Sequence, residues 1–230
     1  MEKLDVLAVA AHPDDAELTC GGTLIKMVDA GYRVGVLDLT AGETGTRGSA
    51  ELRNQEAEEA ARIMGLAVRE NLGLPDAGLE DNQANRLEIA LAIRRLGPKV
   101  LILPNEQSRH PDHALTVRMA HAAAFLAGLG KIEGPGIVAR PEKIIYCLAF
   151  IEHGPKPSFV VDVTGQFERK QQAIACYRGQ FEGKVEGGEL FPNTQPLTEL
   201  VETHCLHYGS LIRTKYGEPF YVRETLAVDD

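Results

Sequence analysis

Excess basic charge, long apolar runs, paired cysteines and internal repeats are all missing from this chain, and each absence removes a class of protein. With 24 Lys and Arg against 33 Asp and Glu, the formal net charge is −9. There is no basic surface to release counterions from phosphates, which argues against a nucleic-acid partner and leaves any anionic ligand to local arginines. No apolar run reaches the length of a membrane span, and Met1 to Asp5 leads straight into a short apolar strand without a basic leader. The expectation is a cytoplasmic protein with no membrane partner. Cys20, Cys147, Cys176 and Cys205 lie far apart with no Cys-x-x-Cys pair, so they read as reduced, mostly buried thiols.

What the chain does have is enough apolar residues for a core. A length of 230 residues at 44% apolar suits one α/β domain spanning residues 1–230. Val6 to Ala10 is a short apolar run followed by a helical pattern with Leu24, Ile25, Met27 and Val28 on one side, ended by Gly31. Val34 to Leu39 repeats the theme, leading through a Gly-rich stretch to a helix that Ser49 can cap and Gly65 can end. A helix over Gln83 to Leu96 precedes a strong strand, Val100 to Leu103. Ile144 to Phe150 and Phe159 to Val163 read as further strands, and Gly165 to Tyr177 as a helix. This alternation predicts a mostly parallel sheet of about five to seven strands with helices on both faces. Residues 183–203 read as an irregular covering segment.

In such a sheet ligands bind beyond the carboxyl ends of the strands, so the polar tails of the apolar runs are where chemistry is expected. After the first run comes His12-Pro13-Asp14-Asp15; after Val100 to Leu103 comes Ser108-Arg109-His110-Pro111-Asp112-His113. Either His-Pro-Asp alone could be a turn, since Pro and Asp are turn formers. Two of them at the ends of two different strands point instead to a shared metal site. His12, Asp15 and His113 supply the N/O set that catalytic zinc takes while leaving a position for water. Asp14 could accept a proton from that water, and His110 becomes the candidate general acid, with Asp112 placed to orient an imidazole. Arg53 sits in the first turn of its helix, where a cation gains nothing from the helix dipole, which favours ligand contact over helix support. His204 and His207 repeat the three-residue spacing without a carboxylate-rich loop, and Cys20 reads as a packing residue.

Ala11-His12-Pro13-Asp14-Asp15-Ala16-Glu17, followed by Gly21-Gly22-Thr23-Leu24, resembles the LmbE-like, or PIG-L type, zinc de-N-acetylases, and His110-Pro111-Asp112-His113 is similar to their second motif. Asp38 to Gly48, Ser108 to His113, Tyr208 to Leu211 and Tyr216 to Phe220 resemble the bacillithiol-pathway branch, the N-acetylglucosaminyl L-malate deacetylases. Tyr177-Arg178-Gly179-Gln180-Phe181 departs from that branch, which has serine where Gly179 stands. The resemblance implies a Rossmann-like fold with the active site at the C-terminal strand edge, and one zinc per subunit on His12, Asp15 and His113. It further implies Asp14 as base, His110 as acid or oxyanion stabiliser oriented by Asp112, and substrate contacts from Arg53, Arg109 and Glu43. The expected partner is a small N-acetylated sugar conjugate, and relatives suggest a homo-oligomer, a trimer or hexamer. Alternatives are a deacetylase of an inositol conjugate or a chito-oligosaccharide, a metal-dependent phosphoesterase, and a non-catalytic zinc or sugar-binding module.

Overall fold

A computed structural model describes residues 3–45, 47–108, 110–149, 154–181 and 196–225. Strand β1 (Val6–Ala10) is buried along its whole length, which is why it reads as an unbroken apolar run instead of an alternating one. Helix α1 (Asp15–Asp29) follows, then β2 (Val34–Thr40) and α2 (Ala50–Met64). The α2 N-cap is the Ser49 side chain, which accepts from Leu52 N, and Gly65 closes the helix at φ 76°. β3 (Val68–Leu74), α3 (Gln83–Leu96), β4 (Val100–Leu103) and α4 (Pro111–Ala127) complete the parallel half. The remainder is β5 (Lys143–Cys147), β6 (Phe159–Asp162), α5 (Phe167–Ile174), α6 (Arg178–Phe181), α7 (Leu197–Leu211) and β7 (Gly217–Tyr221).

The strands form one seven-stranded sheet in the order β3-β2-β1-β4-β5-β7-β6. Pairings from β3 through β5 are parallel, and β7 runs antiparallel between β5 and β6. This is the expected mostly parallel α/β architecture. Alternate residues of β1 feed opposite faces of the sheet. Leu7 and Val9 join Ile89, Ile93, Val117 and Met119 of α3 and α4, while Val6, Ala8 and Ala10 join Leu24, Ile25, Ala57 and Met64 of α1 and α2. Each fully buried Leu or Ile contributes about 1.5–3 kcal/mol, so neither face could be stripped of its helices.

α4 and α6 were not among the expected elements, and three further elements depart from the expectations. Residues 197–203 of the supposed irregular segment are the first turns of α7; the earlier part, through residue 195, lies outside the described residues. β3 was hidden because Arg69, Glu70 and Asn71 interrupt its apolar pattern. The Arg69 guanidinium is bonded to Asp38 of β2 and Glu17 of α1, and Asn71 donates to the Thr40 carbonyl. β7, reading Gly-Glu-Pro-Phe-Tyr, was hidden for the same reason. Its Glu218 is fully buried, accepting from Gly22 N, Thr23 N, Thr23 Oγ1 and the Lys170 ammonium. No helix among the described residues is long and apolar enough to cross a membrane.

The strand order reverses between β1 and β4, so the crevice beyond their carboxyl ends is where this topology places a ligand. The two His-Pro-Asp segments flank that crevice.

Candidate active site

His12 leaves β1 two positions past its end, and Asp14 turns the chain into α1 with φ 110° and ψ −29°. That left-handed conformation is costly for a residue with a Cβ, by about 1–3 kcal/mol, and is the kind of strain that surrounding structure holds at functional sites. Across the crevice His110 is the N-cap of α4, with Pro111 in the first turn, so His113 lies in that turn and not in a loop. The three-residue spacing stacks the two imidazoles with centroids 4.9 Å apart, and His12 meets His110 edge-on, also at 4.9 Å.

Asp15 ties the clusters together. Its Oδ2 lies 3.3 Å from His12 Nδ1 and its Oδ1 3.1 Å from His113 Nε2. The far nitrogen of each ring is held from behind: His12 Nε2 faces Asp76 at 3.0 Å and Asp112 at 3.4 Å, and His113 Nδ1 faces Ser108 Oγ at 3.1 Å. The ligand-type atoms of His12, His110 and His113 fall within 4.8 Å of one another, as do those of His12, Asp76 and Asp112. Imidazole and carboxylate donors converging from one side, each imidazole backed on the other, fit a first-row divalent cation such as zinc.

The electrostatics fit as well. Burial opposes a charge on His12, yet Asp15, Asp76 and Asp14 outweigh it and raise the imidazole to about 9. Asp15, despite its burial, is held well below the usual carboxylate range by His113 and His12. The protein thus gathers more negative charge than it neutralises, and a proton on His12 occupies the place that a cation would take. Asp14 is different. Burial pushes it up to about 7, against the pull of Arg53 and with the repulsion of Asp15. His110 is lowered by burial and by its imidazole neighbours His113 and His12.

Several expected residues stand elsewhere than their expected roles require. Asp112, 2% exposed, does not turn its carboxylate to His110; it faces His12 and accepts from Ala77 N at 3.0 Å. What orients His110 is the Asp112 backbone, whose N–H donates to His110 Nδ1 at 3.3 Å. The acceptor nitrogen is unprotonated, so a neutral His110 carries its proton on Nε2. Arg53 is buried, and its guanidinium is engaged by the protein. It donates to Asp14 Oδ2 at 2.8 Å, to the Pro13 carbonyl at 3.1 Å and to the Gly42 carbonyl at 3.3 Å. Gly42, at φ 66°, is required there because a Cβ would run into the guanidinium. Glu43 uses Oε1 to accept from Asp76 N at 2.8 Å. Arg109 lies outside the described residues.

Asp76 is the residue that sequence reasoning missed. It follows the end of β3, at the kind of position that was inspected after β1 and β4, and β3 itself went unseen. Thr44 N and Oγ1 hold its Oδ2 at 3.0 and 2.6 Å, leaving Oδ1 for His12. All four cysteines are free and buried.

The family profile described as PIG-L, GlcNAc-PI de-N-acetylase, matches residues 7–124, which include every residue of the site from His12 to His113. The chain belongs to the PIG-L family. Membership makes it an enzyme, and the deacetylases among its relatives make it a hydrolase of amide bonds. The diacetylchitobiose deacetylase of Thermococcus kodakarensis is 29% identical over 225 residues, covering 93% of this chain and 80% of that one. The solved structure of the conserved protein TT1542 from Thermus thermophilus is 40% identical, with a TM-score of 0.87 and coverage of 98% and 97%. A 4-oxalmesaconate hydratase of Pseudomonas putida is also 29% identical, over 76% of this chain and 73% of its own length.

Proposed function

We propose that this PIG-L family member removes the acetyl group from an N-acetylglucosaminyl conjugate, using one zinc ion per subunit held by His12, Asp15 and His113. The observation that carries the reading is Asp15 set between two backed imidazoles, with the buried carboxylate of Asp14 beside it and His110 opposite. Zinc, when bound, supplies activation of a water and polarisation of the acetamide carbonyl. Asp14, raised to about 7, is the group matched to accept the water's proton near neutrality. Arg53 holds that carboxylate in place through the strained turn at Asp14. His110, with its proton on Nε2, is suited to donate a hydrogen bond to the developing oxyanion, and the proton that Asp14 has taken up passes to the departing nitrogen. Water adds to the carbonyl carbon, the C–N bond breaks, and acetate and a free amine leave.

Among N-acetylglucosaminides the malate conjugate is the first candidate, on the resemblance of Asp38 to Gly48 and Tyr216 to Phe220 to the bacillithiol-pathway enzymes. With Arg53 engaged by Asp14, the malate carboxylates fall to Arg109. The functional unit is a homo-oligomer in the cytoplasm. The test is acetate release from N-acetylglucosaminyl malate, N,N'-diacetylchitobiose and N-acetylglucosaminyl inositol, with metal content measured on the same preparation. Chelator-sensitive release from the malate compound alone supports the full reading. Release from the others alone keeps the deacetylase and discards malate. No release from any of them, with metal bound, refutes the proposal and turns attention to the hydratase among the relatives.

A further inference from the structure

Behind Asp15 and His113 lies a cavity of about 20 Å³, running from the crevice under α1 between β1, β4 and β5. Its inner walls are mostly apolar, with Ala8 and Ile102 from the middle of β1 and β4, Ala16 and Cys20 from α1, and Cys147 and Ala149 from the end of β5; the exception is Thr19 of α1, whose hydroxyl donates to the Asp15 carbonyl. Polar groups border it from the segment after β4, where Asn105 and Ser108 join His113. Asn105 is 6% exposed, and its two polar ends are treated unequally. Oδ1 accepts from Gln107 N at 3.4 Å, which fixes the amide's orientation, whereas Nδ2 is buried with no hydrogen-bond partner. An orphaned buried donor costs about 1–3 kcal/mol, and this one belongs to a residue that lines the cavity beside Asp15 and His113.

We propose that this cavity is the acyl subsite: the substrate's acetyl methyl packs against the paired thiols of Cys20 and Cys147, and Asn105 Nδ2 donates to the acyl oxygen, retaining the same bond to the product carboxylate. This rests on the amide-hydrolysis reading above and adds to it the element that selects acyl length. A space of about 20 Å³ accepts one water or one methyl-sized group. A longer chain must displace the thiol walls, and each added methylene in such a pocket discriminates by roughly 10–200-fold. Asn105 supplies what an apolar slot lacks, a polar contact that holds the acyl group the right way round.

The test reads binding apart from turnover. Carbon-13-labelled acetate and butyrate are titrated by NMR into the zinc-loaded wild type, Asn105→Asp, Asn105→Ala, Cys147→Ala and Cys147→Ser. Asn105→Asp keeps the acceptor that the turn uses and replaces the donor. Acetate should bind the wild type at least about tenfold more tightly than butyrate, and should weaken by about tenfold or more in both Asn105 variants. Cys147→Ala, which enlarges the cavity, should narrow the acetate-to-butyrate gap by about tenfold, while the isosteric Cys147→Ser leaves it unchanged. Acetate bound equally by wild type and folded Asn105 variants, or a chain preference unmoved in Cys147→Ala, overturns the proposal and leaves the cavity to a buried water. N-acetyl and N-butyryl glucosaminides assayed in parallel separate the two readings. The binding pattern without hydrolysis sinks the sugar deacetylase and keeps the subsite; hydrolysis without the pattern does the reverse.

Discussion

Replacing Asp76 by Asn removes one of the two carboxylates behind His12 and tests whether that backing sustains metal binding. The substitution preserves shape, and the amide oxygen can still accept from Thr44 N and Oγ1, so the turn after β3 should survive. The lift of His12 from 6.5 to about 9 corresponds to about 3 kcal/mol net of burial, shared among Asp15, Asp76 and Asp14. A share for Asp76 on the order of 1–2 kcal/mol implies a loss of about 5–30-fold in zinc affinity, which overlaps the roughly 10–100-fold seen when the outer partner of a ligating histidine is removed. Competition with a chelating dye measures that affinity directly. In metal-free protein the His12 titration, followed by NMR, should move down from about 9 because a raising charge has gone. Zinc affinity within about twofold of wild type, in a folded variant whose His12 titration has moved, would refute the claim that this carboxylate tunes the ligand.

Asp14→Asn should retain zinc and lose about 10²–10⁴-fold in kcat, as expected for a general base; equal metal loss would reassign Asp14 to the ligand set. In the wild type kcat/KM should rise with pH as Asp14 deprotonates. Its metal-free midpoint is about 7, and a bound cation, which favours the carboxylate, places the limb below that value. Arg53→Met removes the main charge holding Asp14 down, so the acid limb should shift to higher pH, as a pH-rate profile would show; an unmoved limb would mean that Arg53 is merely structural. Lys170→Met leaves Glu218 buried without its cation and should cost about 3–5 kcal/mol in denaturant unfolding, with part of the loss recovered by Lys170→Met/Glu218→Gln. A single variant as stable as wild type would show that Glu218 takes up a proton at little cost.

The local chemistry of the chain determined a large part of this protein. Val6 to Ala10 and Val100 to Leu103 read as buried strands because burial on both faces leaves an unbroken apolar signature. The helix opened by Ser49 and closed by Gly65 was legible because capping is a contest among neighbouring groups. The His-Pro-Asp tails at two strand ends followed from that topology. Tertiary structure decided the partnerships. β3 and β7 are strands although Arg69, Asn71 and Glu218 break their patterns, since each polar group finds its partner on a distant element. Asp76 backs His12, Asp112 turns away from His110, and Arg53 turns inward to Asp14, none of which spacing along the chain encodes. Periodicity and capping are local, set by residues a few positions apart. The worth of a buried charge depends on what the fold brings within about 4 Å of it, and only packing decides that.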